Sequence, residues 1–266
     1  MTTIQQAIEQ EPLIVNKGDG VATITINRPR RKNAINHAMW LDLARHFDEL
    51  SSDLQVRAII LTGAGEDFSA GADIAEFDTL RAPGNAEAYE AANAAAFAAV
   101  RNARVPVIAA LRGVCFGGGF GLAAAADIRI ATPDALFSVP AARLGLAYPQ
   151  DAMQDIVAAA GPQMARYLTY TGARIDAPAA LAAGLILEIV PKDELGARAS
   201  AIAASIAANA PLSVRASKLA IRAVLSGEAA DVDSALAAGA ATFASADYAE
   251  GRAAFREKRS PRFMGK

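Results

Sequence analysis

Leu111-Arg112-Gly113-Val114-Cys115-Phe116-Gly117-Gly118-Gly119-Phe120-Gly121-Leu122-Ala123-Ala124-Ala125-Ala126-Asp127 is the stretch on which the reading of this chain turns. It follows the apolar run Val105–Ala110, which is short, carries Pro106 near its start and reads as a buried strand. After Gly113 the chain turns, and Gly117, Gly118 and Gly119 open a run of strong helix formers, Leu122–Ala126. The order is strand, glycine turn, helix. The first amides of a helix have no intrahelical partner, and glycine lets another molecule come close to them, so a developing negative charge would be stabilised there. The alternative is a glycine turn that only brings a helix close to a sheet. No Gly-Lys-Ser/Thr follows, which excludes a Walker phosphate loop. Three glycines in a row, with no Gly-x-Gly-x-x-Gly and no later acidic partner, fit the dinucleotide fingerprint poorly. An oxyanion site is the sharper reading, and it needs a second donor from elsewhere.

Upstream of this stretch, residues 1–11 are polar and read as a loose leader or short helix. Leu13–Val15 and the alternating Val21–Ile26 read as a hairpin turning at Lys17-Gly18-Asp19-Gly20. The loop Asn27–Asn36 carries four basic residues, and Asn36 is an N-cap candidate for a helix from about His37 to Leu50. The basic cluster is either a solvated loop or a grip on phosphate. Val56–Thr62 reads as a parallel strand buried on both faces. It runs into Gly63–Ile74, whose small residues leave backbone open beyond a strand end, where open α/β sheets place ligands. Ala70 is the candidate second donor. Residues 79–86 read as a surface loop and Glu87–Arg101 as an alanine-rich helix.

Downstream, Asp127–Ala131 and Leu136–Val139 read as strands, and Ala141–Gln150 as a loop over the glycine turn. From about Asp151 the pattern is almost wholly helical (151–160, 162–171 and 177–183), with a return strand at Leu187–Val190 and three or four alanine-rich helices to about 258. Trp40 and Phe47, at i and i+7, have core spacing. Cys115 reads as a small buried residue, His37 and His46 as rim residues, and Asp127 as fixing the turn into its strand.

The chain's 266 residues suffice for one sizeable α/β core with a smaller helical piece. A formal charge of -2 gives no general attraction to nucleic acid or an anionic membrane, so an anionic ligand must be met by local basic residues. A single cysteine, the lack of a secretory leader and apolar runs far short of the ~18 residues of a membrane span predict a cytoplasmic protein without membrane association. With two histidines nine apart and no cysteine pair, no metal site is expected.

Ile26-Asn27-Arg28-Pro29 with Asn33–Asn36, Phe68–Ile74, Gly117–Gly119 with Ala126-Asp127, Leu144-Gly145-Leu146 and Phe255–Arg259, in this order and spacing, resemble the crotonase superfamily of enoyl-CoA hydratases and isomerases over nearly the whole chain. The resemblance implies an α/β fold, a spiral of ββα units with a helical C-terminal region. Its division would be an acyl-CoA-binding core over 1–195 and a helical oligomerisation region over 196–266. It implies an acyl-coenzyme A substrate, no prosthetic group, and homotrimers or dimers of trimers. The oxyanion donors would be the amides of Ala70 and Gly118. Arg30 and Lys32 would meet the coenzyme A phosphates, and Ala34 with the backbone from Ala70 through Ala72, Asp73 and Ile74 would line the pantetheine and adenine. Phe255 and Lys258 would reach the ligand of a neighbouring subunit.

The chain departs from the family at the two glutamates with which its hydratases activate water, a task that suits one carboxylate as base and another to hold or return the proton. The first position is Gly121 and the second Ala141. Simple hydration is therefore not expected, and isomerases of the family usually keep the second glutamate. Nearby polar candidates are Ser138, Arg143, Tyr148, Gln150 and Asp151. Tyr148 stands where the family's methylmalonyl-CoA decarboxylase has a tyrosine, although that enzyme's histidine is Ala72 here. Asp151 lies two positions past an aspartate of dienoyl-CoA isomerases; its other reading is a helix-start residue favoured by the dipole. The alternatives to an enolate-stabilising hydratase/isomerase relative are a decarboxylase or thioester hydrolase using Tyr148 or Asp151, and a non-catalytic acyl-CoA-binding protein.

Overall fold

The computed structural model describes residues 11–80 and 84–266. The leader expected over 1–11 lies, up to residue 10, outside the described residues, as does the centre of the 79–86 loop at 81–83.

The chain runs β1 (Leu13–Gly18), β2 (Val21–Ile26), α1 (His37–Ser52), β3 (Ala58–Gly63), α2 (Ala86–Asn102), β4 (Val107–Leu111), β5 (Val114–Phe116), α3 (Gly118–Ala125), β6 (Ile128–Ala131) and β7 (Leu136–Ser138). It continues with α4 (Gln150–Thr171), β8 (Arg174–Asp176), α5 (Ala177–Ala182), β9 (Glu188–Ile189), α6 (Leu195–Ala207), α7 (Pro211–Ser226), α8 (Ala229–Thr242) and α9 (Ala246–Glu257). One sheet has the order β1-β2-β3-β4-β6-β9, antiparallel at β1–β2 and parallel thereafter; a smaller one has the order β5-β7-β8. Short extended segments continue the small layer without being full strands. Ser69 bridges Cys115, and Ile35 bridges Ala72. Each turn of the chain thus lays one strand in the large sheet and one extended piece in the second layer before entering a helix, a spiral of ββα units.

Two strands went unanticipated. The turn lies at Gly113, at φ +50°, as the sequence implies, but Val114–Phe116 between it and the glycine triplet is a strand in its own right, paired with β7. Arg174–Asp176 is short and polar at both ends, and only its pairing with β7 makes it a strand. The glycines at 118 and 119 lie inside α3 rather than before it. The span α4 breaks at Gly161 (φ 72°, ψ 160°), ahead of Pro162, where the sequence pattern divides two helices.

The side chains of Trp40, Leu43 and Phe47 from α1 are fully buried against the large sheet, and Asn36 caps that helix by accepting from the Met39 amide at 2.9 Å. On the sheet's other face Ala58, Ile60, Ile108, Ala110 and Ile130 pack against Leu195, Ala199 and Ala203 of α6. The apolar stripe of α6 makes this helix the cover of that face of the core. The helices beyond it are less embedded, and Val224, Leu236, Phe243 and Phe255 are exposed. No helix among the described residues is long and apolar enough to cross a membrane.

The second layer is held to the basic loop by Asn33, a fully buried side chain at φ +54°. Its amide donates to the carbonyls of Ala64 (2.9 Å) and Asp67 (2.6 Å), and its Oδ1 accepts from the Arg28 amide at 2.9 Å. At the far end of α3 the half-buried Arg129 guanidinium donates to the carbonyls of Ala123, Ala124 and Ala126, and its Nε to Leu185. A cation at the C-terminus complements the helix dipole and leaves the N-terminal amides free for another partner.

Candidate active site

The extended segment Ser69–Asp73 runs past the N-terminus of α3. Gly71, at φ +91°, permits the approach, since a β-carbon there would lie 2.7 Å from the Phe116 carbonyl oxygen and 2.9 Å from the Gly118 nitrogen. Within the segment the amide of Ala70 donates to the Lys32 carbonyl (2.9 Å), that of Gly71 to Ser69 Oγ (3.1 Å) and that of Asp73 to the Ile35 carbonyl (2.9 Å). The amide of Ala72 has no partner among the described residues. This corrects the donor expected from the sequence. Ala70 is engaged by the basic loop, and Ala72, two residues on, is the amide left open.

Gly118 begins α3, and its amide likewise has no partner among the described residues, whereas Gly117 donates to Ser138 and Gly121 to Gly117. A β-carbon on Gly118 would sit 3.7 Å from the Ala72 nitrogen. Two unengaged amides therefore lie close together at the positive end of a helix, and both residues line a cavity of about 210 Å³. The walls of this cavity include Ile74, Phe77, Phe97, Ala141, Leu146 and Tyr148. In an apolar cavity of this kind a pair of aimed donors holds the charge of an enolate or a tetrahedral intermediate.

Tyr148 is brought to the site and Asp151 is not. The Tyr148 hydroxyl donates to the Gly117 carbonyl at 2.8 Å, and its ring stacks on Phe97 with centroids 6.5 Å apart. Burial, foremost, pushes this phenol well above its usual range, so it stays neutral and braces the turn into α3. Asp151 sits in the first turn of α4, its carboxylate 3.7 Å from Arg101 on the outer side, and is not among the cavity-lining residues. The helix-dipole reading of Asp151 accounts for its position.

A side chain at residue 121 has no room. Its β-carbon would lie 2.6 Å from Tyr148 Oη and 2.7 Å from the Phe97 ring. The place of the first family glutamate is thus filled by an aromatic pair, and Ala141, at the place of the second, contributes only a methyl to the wall. Gly121→Glu should therefore lose about 1–3 kcal/mol of stability through overpacking, measured by urea unfolding, without raising hydration of crotonyl-CoA.

Of the residues expected to bind coenzyme A, Arg30 and Lys32 are exposed on the basic loop, with Lys32 Nζ 4.0 Å from Asp67. Ala34 is buried, and its carbonyl accepts from Arg28 at 2.7 Å. The Asp73 carboxylate is buried, paired with Arg28 at 2.9 Å and capping a short turn at Ala75, and its backbone is engaged as well, the amide by Ile35 and the carbonyl by Glu76. Ile74 is exposed at the cavity mouth. Phe255 is exposed on α9, in a groove with Phe243 and Phe263, and Lys258 ends that helix at φ +53°. Among the described residues no group of three histidines, cysteines, aspartates or glutamates gathers as a metal site would require. Cys115 is fully buried and its thiol is pushed up by desolvation.

Two cavity residues had no motif to announce them. Glu90 and Asn93 project from α2 on the face that also carries Phe97. Their spacing with Phe97 of i, i+3 and i+7, in an alanine-rich helix, is the one signal in the sequence that could have found them.

The family model for enoyl-CoA hydratase/isomerase matches residues 16–266. A short-chain-enoyl-CoA hydratase of Clostridium acetobutylicum is 36% identical over 257 residues, covering 95% of this chain and 97% of that protein. A mitochondrial Delta(3,5)-Delta(2,4)-dienoyl-CoA isomerase of Rattus norvegicus is 35% identical over 211 residues, 75% of this chain and 64% of that one. The crystal structure of an enoyl-CoA hydratase/carnithine racemase from Magnetospirillum magneticum superposes with a TM-score of 0.90 at 38% identity, over 96% of both chains.

Proposed function

Since the chain belongs to the enoyl-CoA hydratase/isomerase family, we propose that it takes an acyl-CoA thioester whose carbonyl oxygen lies between the amides of Ala72 and Gly118, and that it stabilises the enolate formed there. It is an enzyme of the hydratase/isomerase type. The observation that carries the finer reading is the pair of neighbouring amides without partners among the described residues, both in the lining of one apolar cavity. In this reading Arg30 and Lys32, exposed on a loop that carries four basic residues, meet the phosphates of coenzyme A. The exposed apolar side chains of α7–α9 support assembly into trimers, in which Phe255 and Lys258 approach a neighbour's ligand.

Hydration by a carboxylate pair is not the reaction this site favours. Neither glutamate is present, and the aromatic pair at Gly121 excludes a side chain from the first position. Removing paired acid–base help costs about 10²–10⁴-fold. With crotonyl-CoA in heavy water, hydration should be slower by that factor than in a relative carrying both glutamates, while an acyl-CoA bound in the cavity acquires deuterium at its α-carbon. Hydration at the relative's rate would refute the exclusion of water addition. Carbon dioxide release from a malonyl-type thioester without exchange would shift the reaction to decarboxylation in the same oxyanion site.

A further inference from the structure

With the first glutamate position closed and the second an alanine, a proton must still be moved if an enolate is to form by deprotonation. Glu90 is the one carboxylate among the residues lining the cavity, on the same wall as Asn93 and Phe97 and in the same space as Ala72 and Gly118. Its charge also acts on the phenol of Tyr148. Asn93 is only 6% exposed, and its Oδ1 has no hydrogen-bond partner among the described residues. A buried carbonyl oxygen left without a donor is destabilising, so this group fits a donor that arrives with a ligand.

We propose that Glu90 is the catalytic acid–base of this enzyme and that its single carboxylate shifts a double bond in a 3-enoyl thioester. This rests on the enolate reading above. The carboxylate takes a proton from the α-carbon; that C–H pair becomes the dienolate, whose negative charge settles on the thioester oxygen between the two amides. The protonated carboxyl then delivers its proton to the γ-carbon, the oxygen's charge returns, and the double bond lies between the α- and β-carbons. Nothing is oxidised or reduced and no co-reactant is consumed. One carboxylate suffices because it recovers its starting state, whereas addition of water asks for a second group to activate the nucleophile. Sequence alone gives Glu90 no distinction from the other glutamates of this helical chain; only the face it shares with Asn93 and Phe97 does.

The test is trans-3-hexenoyl-CoA in heavy water, following formation of the conjugated thioester and the deuterium it carries. Wild-type protein should give the 2-enoyl product with the α-proton carried to the γ-carbon, deuterium entering there only in the fraction of turnovers in which the carboxyl exchanges with solvent before delivery. Glu90→Gln should lower turnover by about 10²-fold or more with little change in KM, and Glu90→Asp, which keeps the carboxylate, should recover part of it. Wild-type turnover by Glu90→Gln overturns the assignment to Glu90 while the enolate reading stands. Decarboxylation of a malonyl-type thioester by a wild-type protein that does not isomerise also overturns it and leaves the enolate reading in place. Wild-type protein that shows neither reaction overturns both.

Discussion

Gly118→Ala should lower kcat by about 10²–10³-fold, the usual cost of losing one oxyanion donor. The added β-carbon would lie 2.8 Å from Trp40 Cη2 and 2.9 Å from Trp40 Cζ2, closer than carbon atoms approach without displacement. Trp40 is fully buried and packs edge-on against Phe97 at 5.6 Å between centroids, so the ring has no room to withdraw. The N-terminus of α3 has to move instead, and the Gly118 amide moves with it. Because the charge on the carbonyl oxygen develops only in the transition state, the loss should fall on kcat more than on KM. Far-UV circular dichroism and a urea melt establish that the variant is folded; turnover near that of the wild type would remove Gly118 from the oxyanion site.

Arg101→Ala should cost about 3–5 kcal/mol of stability, the effect of breaking one partner out of a buried ion pair. Arg101 Nη1 meets Asp155 Oδ2 at 2.5 Å, and Asp155 is 6% exposed. The pair ties α2 to α4 behind the cavity. Desolvation, the larger influence, raises the Asp155 carboxyl to about 6 despite the opposing pull of Arg101. A folded value above the unfolded one means that the site's contribution is fully present below the ordinary carboxylate range and is lost as the pH rises through about 6. Removing the arginine removes the downward pull, so the orphaned carboxylate can escape its penalty by taking a proton. Urea unfolding should show the variant's deficit at pH 7 shrinking at pH 5, and an equal deficit at both would rule out an uncompensated carboxylate as its cause.

The two predictions probe different parts of one arrangement. Arg101 and Phe97 belong to α2, as do Glu90 and Asn93, so the helix that supplies the proposed proton carrier is held to α4 by an ion pair and stacked under Tyr148 by an aromatic contact. Tyr148 in turn holds the Gly117 carbonyl one residue before the donor. The space a glutamate at 121 would occupy has become part of the packing that aims the helix.

Much of this was legible from residues alone. The apolar runs gave the parallel strands to within a few residues, Asn36 capped its helix as its position implied, and Trp40 and Phe47 lie where i and i+7 spacing puts them. The glycine triplet, the basic loop and the order of motifs identified the family, and the residues at 121 and 141 showed that its glutamates are gone. These features are readable because they depend on side-chain identity and local periodicity.

What only the tertiary structure decided depends on backbone direction and long-range convergence. A backbone amide carries no signature of its residue, so whether Ala70 or Ala72 is the open donor follows from the carbonyls of Lys32 and Ile35 on a separate segment, which engage the amides of Ala70 and Asp73. Asp151 and Tyr148 are near neighbours in sequence, yet entry into α4 turns one toward Arg101 and the other toward Gly117. Glu90 and Asn93 join Gly118 across 28 and 25 residues because α2 packs against α3 and α4, a proximity that no local pattern encodes.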